Sequence, residues 1–143
     1  MKKSKYILTV ILPLLIIVVT SSFITKKNQT YSATDILKNA NFNAANSTVT
    51  VHSINIDDKD IFVEIKLPEE TQQQLIEAFK NAKFGNVTTT WLDYDYRINI
   101  TLNTGHAMFL DSQNKSLTVI STKETYTISN DSDFFTILKK ATE

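Results

Sequence analysis

The chain has 143 residues, among them no cysteine, two glycines, two prolines and no acidic residue before position 30. The lack of cysteine excludes disulfide scaffolds, zinc fingers and thiol catalysis. With so little glycine, the sequence contains neither a G-x-S-x-G nucleophile elbow nor a phosphate-cradling glycine loop. A hydrophobic fraction of 42% nevertheless argues against a mainly disordered protein. We therefore expect a folded domain whose stability comes from packing rather than from cross-links.

Charge is distributed unevenly along the chain, although fifteen basic residues balance fifteen acidic ones. Five of the basic residues lie within the first 27 positions, which leaves ten basic and fifteen acidic residues in 28–143, a net charge of −5. An acidic domain repels the phosphate backbone of DNA and RNA, so electrostatic attraction cannot drive their binding. We predict no nucleic-acid partner.

Residues 6–25, YILTVILPLLIIVVTSSFIT, carry no charge and follow a start with three lysines. Twenty residues in a helix span about 30 Å, the thickness of the hydrocarbon core of a bilayer. Residues 1–27 are therefore predicted to form a transmembrane anchor or a signal peptide, with the C-terminal domain outside the cell membrane. Because no A-x-A cleavage motif follows the apolar run, a retained single-pass anchor is favoured, and secretion after cleavage is the alternative.

After this segment, residues 28–47 are rich in Asn, Ser and Thr and are predicted to form a polar tether. Residues 48–143 are long enough for one extracytoplasmic domain with a single core. TVTVHSINI and IFVEIKL alternate with a period of two around the polar turn DDKD, which predicts a β-hairpin. Pro68 and two glutamates then open a predicted helix whose apolar stripe contains Leu75, Ile76, Phe79 and Ala82.

The segment WLDYDYRINITLN alternates strictly and is predicted to be one long strand beginning at Trp91. Further strands at AMFL, LTVIS and TYTIS form a predicted meander, and FFTILKKA forms a C-terminal helix. The order of hairpin, helix, meander and helix predicts an α+β domain with a mostly antiparallel sheet, preceded by the transmembrane or signal helix.

On the predicted strand, Trp91, Asp93, Asp95 and Arg97 project from one face. An exposed aromatic side chain rimmed by charge is a recognised contact device, so these four residues are the candidate ligand-binding site. Two carboxylates at this spacing also permit acid–base hydrolysis of a sugar, and an envelope hydrolase using Asp93 and Asp95 is an alternative function. Solvated polar positions on an antiparallel strand explain the same pattern.

The other polar residues do not form a recognisable metal-binding or catalytic motif. His52 and His106 lack the spacing of a metal site, and Asp57, Asp58 and Asp60 in the predicted turn lack the glycine and the distant glutamate of a calcium loop. We predict no catalytic residue, no metal site and no cofactor.

Several local sequences resemble those of the small YhfM-like extracytoplasmic proteins of Gram-positive bacteria. The similar segments are LIEAFKNAK, DYDY, NTG, FLD and ETYTIS followed by FFTILKK, and the likeness covers about residues 48–141. The resemblance implies a membrane-proximal location and a compact domain, and the family has no established activity.

We therefore expect a membrane-anchored, non-enzymatic binding or accessory domain at the cell surface. Its partners would be the membrane, through residues 6–25, and a protein or an envelope polymer. A further alternative is a protein that inhibits or protects a membrane neighbour through the edge of its sheet.

Overall fold

The computed structural model describes residues 29–87, 91–129 and 133–143. The predicted anchor or signal peptide, residues 1–27, lies outside these ranges. No helix within the described residues is long and apolar enough to cross a membrane.

The described chain forms an eight-stranded antiparallel sheet and three helices, which confirms the predicted mostly antiparallel sheet and the C-terminal helix. In chain order the elements are β1 (Thr30–Tyr31), α1 (Ala33–Ile36), β2 (Thr48–Ile54), β3 (Phe62–Ile65), α2 (Glu69–Asn81), β4 (Phe84–Asn86), β5 (Tyr96–Thr101), β6 (Gly105–Asp111), β7 (Ser116–Val119), β8 (Glu124–Ile128) and α3 (Phe134–Thr142). The strands lie in the order β1-β4-β8-β7-β6-β5-β2-β3. The predicted hairpin and meander are therefore both present.

The helices pack on one face of the sheet, which we call the inner face. Helix α2 contacts β2, and α3 contacts α2. Alternate strand residues are buried beneath them because successive side chains in a strand point to opposite faces. The buried hydrophobic residues among them are Val49, Val51, Phe84, Ile98, Ile100, Met108, Leu110, Leu117, Val119, Tyr126 and Ile128.

Helix α2 supplies the centre of the core. Glu69 and Glu70 lie in its first turn, where negative charge is favoured by the helix dipole. The Phe79 ring is fully buried, with its centroid 5.1 Å from that of Phe84 and 5.5 Å from that of Phe134. One side chain thus joins the helix, an edge region of the sheet and the C-terminal helix.

The structure differs from the predicted tether over residues 29–47. Strand β1 pairs with β4, and Ala33, Ile36 and Leu37 are buried in the core. The Asn41 N–H donates to Asn103 Oδ1 at 2.7 Å, which fixes the following loop to the β5–β6 turn. Short apolar patches between polar residues therefore cap one end of the core and belong to the domain.

The strand predicted from Trp91 was too long, because β5 begins only at Tyr96. Residues 91–95 have no regular structure, although the alternation of buried Ile98 and Ile100 with half-buried neighbours is as predicted. The Tyr94 hydroxyl lies 2.7 Å from that of Thr118, on the face opposite to the one predicted for Tyr94. The Asp95 backbone still bonds to Leu110 and Ile54, and side-chain contacts at the end of β6, described below, fix residues 93–95 outside the regular strand.

Candidate functional site

The face of the sheet opposite the helices, which we call the outer face, carries half-buried and exposed side chains. Cross-strand pairing identifies its members, because residues directly opposite each other in a sheet share a face. His52 pairs with Glu64 on one side and with Arg97 on the other, and Arg97 in turn pairs with Phe109. Thr118 follows Phe109 on the next strand.

An aromatic ridge, formed by Phe62, Phe109 and Tyr94, crosses this outer face. The ring centroids of Phe62 and Phe109 are 6.5 Å apart at an interplanar angle of 22°, and those of Tyr94 and Phe109 are 5.4 Å apart at 34°. Since β2 and β5 lie between β3 and β6, the rings lean across two strands to meet. Phe62 is 43% exposed, so one end of the ridge is open to solvent.

Arg97 lies beside the ridge and is the one of the four predicted site residues that joins it. Its guanidinium carbon is 5.4 Å from the centroid of the Phe62 ring, within the range of a cation–π interaction. No carboxylate in the described ranges lies within ion-pair distance of Arg97. The guanidinium thus retains hydrogen-bonding capacity for a partner outside the domain.

Asp95 links the irregular segment before β5 to the turn after β6 through hydrogen bonds with Ser112. Its Oδ1 accepts a hydrogen bond from the Ser112 N–H at 3.0 Å, and its Oδ2 accepts one from the Ser112 hydroxyl. The backbone continues this attachment, since the Asp95 N–H donates to the Leu110 carbonyl at 3.0 Å and its carbonyl accepts from Ile54. Because both carboxylate oxygens are already engaged, the contacts of Asp95 do not favour the hydrolytic alternative.

Asp111, at the end of β6, is a buried carboxylate that organises the same region. It accepts hydrogen bonds from the Asp93 N–H at 2.9 Å, the Asn114 N–H at 2.9 Å and the Asn114 side-chain amide at 2.7 Å. Burial of the Asp111 carboxyl raises its pKa, but the hydrogen bonds from Asn114, Asp93 and Gln113 outweigh burial and hold the pKa below its usual range. The carboxylate therefore ties residues 91–95 to the β6–β7 turn.

The structure does not gather the four predicted site residues into one cluster of side chains. Trp91 is 85% exposed and Asp93 is exposed in the irregular segment, Asp95 contacts Ser112, and Arg97 lies on the outer face. The prediction missed the ridge partners because ring contacts between distant strands leave no local pattern. The Asp-Ser-Gln-Asn sequence at 111–114 is typical of a turn and could have predicted the turn that Asp111 stabilises.

A groove with a volume of about 700 Å³ lies between α3, the start of β5 and the β6–β7 turn. Three lysines line it, Lys115, Lys139 and Lys140, together with Tyr96 and Ser112. Lys139 forms an exposed ion pair with Glu143 at 3.5 Å, and lysines in the last turn of a helix are favoured by its dipole. Helix stability therefore accounts for two of the three lysines, and we assign the groove no ligand.

The two histidines lie in different environments. His52 stands between Glu64 and Arg97 on the outer face, whereas His106 Nε2 is 3.0 Å from the Thr104 hydroxyl in the β5–β6 hairpin. Burial lowers the pKa of His106. Among the residues that the structure describes, no group of three or more His, Asp or Glu side chains is placed to hold a metal ion.

Comparisons of the chain with protein-family models, with curated proteins and with solved structures found no match. The resemblance to YhfM-like proteins thus stays a prediction from the sequence.

Proposed function

We propose that this protein is a non-enzymatic binding domain, held at the outer side of the cell membrane by residues 6–25, which recognises another protein through its outer face. The observation that carries the binding proposal is the aromatic ridge with Arg97 beside it, on the face of the sheet that the helices leave open. The apolar, lysine-flanked run at the start of the sequence supports the location.

The geometry of the ridge favours a protein over an envelope glycan. A sugar ring stacks on the open face of an aromatic ring, but the Phe62 ring is stacked with Phe109 and has the Arg97 guanidinium over it. The ridge combines aromatic rings with an arginine, and both are enriched at the centres of protein–protein interfaces.

The net charge of the domain and the position of Arg97 indicate which kind of partner surface the outer face can bind. The domain carries a net charge of −5, so an anionic polymer would be repelled over most of its surface. Arg97 is a local exception, with a guanidinium that a carboxylate can bind bidentately. The partner surface would therefore combine an apolar patch for the ridge with an aspartate or glutamate for Arg97.

Position-specific photo-crosslinking in cells tests this proposal on the full chain. A photo-reactive phenylalanine analogue at Thr50 or Asn99, which are paired neighbours on the outer face, is expected to give a protein adduct of defined mass. The same analogue at Gln74, exposed on α2, should give none. The substitution Arg97→Glu should reduce the adduct about tenfold because it places like charges together, whereas Lys38→Glu, the same charge change at an exposed site, should not.

Three outcomes would contradict the proposal. An adduct that muramidase degrades and protease leaves intact would identify a glycan partner instead. Equal adducts from Gln74 and Asn99 would remove the outer face as the binding surface. An adduct that is insensitive to Arg97→Glu would show that the guanidinium takes no part.

A further inference from the structure

Strand β3 forms one edge of the sheet and exposes an unusual amount of apolar surface. Within the described residues it pairs with β2 alone. The Ile61, Phe62 and Val63 side chains are 47%, 43% and 45% exposed, and Ile56 in the preceding turn is 80% exposed. An exposed apolar edge is a template for pairing with another strand, and folded proteins normally cover or blunt such edges.

At this edge, the backbone N–H and C=O groups of every second residue of β3 point away from β2 and are available for pairing. The Asn55 N–H donates to the Ile61 carbonyl at 2.9 Å, so Ile61, Val63 and Ile65 direct their backbone polar groups toward β2. Phe62 and Glu64 direct theirs away from the sheet. Lys66 is one residue beyond the strand, and the pairing described next extends β3 by this residue.

We propose that β3 pairs antiparallel with β3 of a second copy of this chain, about a two-fold axis at Ile65. In this register Glu64 lies opposite Lys66 of the second copy, and Lys66 lies opposite its Glu64. Both pairs exchange backbone hydrogen bonds through the outward-directed groups, and opposite charges directly across a pair stabilise it. On the inner side, Val63 meets Leu67 of the second copy.

The neighbouring registers of the same self-pairing lack this complementarity. An axis at Glu64 would place the two glutamates opposite each other, which is unfavourable. An axis at Val63 would place each Glu64 opposite Phe62. Of these three registers, the one with its axis at Ile65 is the only one in which the charges of β3 and the following residues are complementary.

The resulting dimer would contain a continuous sheet with the helices of both copies on the same side. Strand β1, which is closest to the N-terminal segment, forms the opposite edge of each copy, about 34 Å away from β3 at 4.8 Å per strand. Pairing at β3 therefore leaves the two β1 strands at the opposite outer edges of the combined sheet. This inference goes beyond the proposed function and does not depend on it, because the outer face stays open in the dimer.

Single-cysteine cross-linking of the full chain in membranes tests the register, since the natural sequence has no cysteine. Position 65 would face itself in a non-hydrogen-bonded pair, where the Cα atoms are about 4.5 Å apart and a disulfide can form. Ile65→Cys is expected to give a product of twice the chain mass on mild oxidation. Val63→Cys, four residues out of register with itself, should cross-link at least about fivefold more slowly. Preferred cross-linking at position 63, or none at 65 in a folded variant, would overturn the proposal.

A charge exchange provides a second test that does not depend on Ile65 and alters only exposed side chains. Glu64→Lys and Lys66→Glu should each reduce co-purification of two differently tagged copies about tenfold, because each brings like charges together in both pairs. Mixing one copy of each variant should restore co-purification to within about threefold of the natural chain, since opposite charges then face each other. Failure of the mixture to restore association would overturn the register, and unchanged association of the single variants would overturn the interface.

Discussion

The carboxylate of Asp111 is expected to be one of the largest polar contributions to the stability of this domain. It is fully buried and accepts three hydrogen bonds of 2.7 to 2.9 Å from Asp93 and Asn114. A hydrogen bond to a charged group contributes about 1.5 to 3 kcal/mol, and part of this is regained when water reaches the freed donors. Because Asp93 and Asn114 are exposed residues, we expect Asp111→Ala to lower the free energy of unfolding by about 3 kcal/mol and Asp111→Asn by about 2 kcal/mol.

Acid should remove this contribution. The pKa of Asp111 is lower in the folded protein than the ordinary value of 3.8, so the unfolded chain takes up the proton first. The stabilisation is thus present above about pH 4 to 5 and is lost as the pH falls through the folded pKa. The difference in unfolding free energy between the natural chain and Asp111→Asn should shrink between pH 7 and pH 3.

Urea unfolding of the full chain in mild detergent, followed by far-UV circular dichroism, measures both quantities. Asp57→Asn, which removes an exposed carboxylate, is the matched control and should change the unfolding free energy by less than about 0.5 kcal/mol. A loss below about 1 kcal/mol for Asp111→Ala, or a difference that does not vary with pH, would refute the assigned role of the carboxylate.

Three further predictions concern the core and two titrating side chains. Phe79→Ala should lower the free energy of unfolding by about 3 to 5 kcal/mol because it empties the contact between α2, β4 and α3; Ile56→Ala, at a site that is 80% exposed, should have little effect in the same urea titration. Burial and the nearby Glu124 raise the pKa of Tyr126 to about 12. The contribution of Tyr126 to the free energy of unfolding should therefore be intact below pH 10 and disappear as the pH rises toward 12. Ultraviolet titration of Tyr126→Phe against the natural chain can measure this. Burial lowers the pKa of His106, so nuclear magnetic resonance titration should find a pKa below the ordinary value of 6.5, and a pKa above that value would contradict the packing of the β5–β6 hairpin.

The sequence predicted those elements whose pattern is long enough to be distinctive. Helix α2 has a clear apolar stripe ending at Phe79, and β2, β3 and β6 alternate over several residues, so their positions followed from local periodicity. Strand β1 and helix α1 have two and four residues, too few to show a period, and their burial depends on contacts with distant parts of the chain. The same holds for β4, whose three residues include Gly85.

Residues 91–95 show the opposite error, since a regular pattern there does not produce a strand. Alternation continues through this segment, but the Asp93 N–H donates a hydrogen bond to Asp111 and the Asp95 carboxylate accepts one from Ser112. Both contacts come from the end of a strand that is distant in sequence, and tertiary contacts of this kind override local preference. Of the ridge and the residue beside it, only Arg97 was predicted, because its outward direction follows from β5. Phe62 and Phe109 come from β3 and β6, and Tyr94 comes from the irregular segment.

Accessibility of single cysteines in intact cells tests most directly whether the domain lies outside the membrane. In a chain without natural cysteine, Gln113→Cys places one thiol on an exposed turn of the domain, and Lys3→Cys places one before the apolar segment. We predict that a membrane-impermeant maleimide labels Gln113→Cys in intact cells and labels Lys3→Cys only after permeabilisation. Labelling of Gln113→Cys only after the cells are opened would contradict the account.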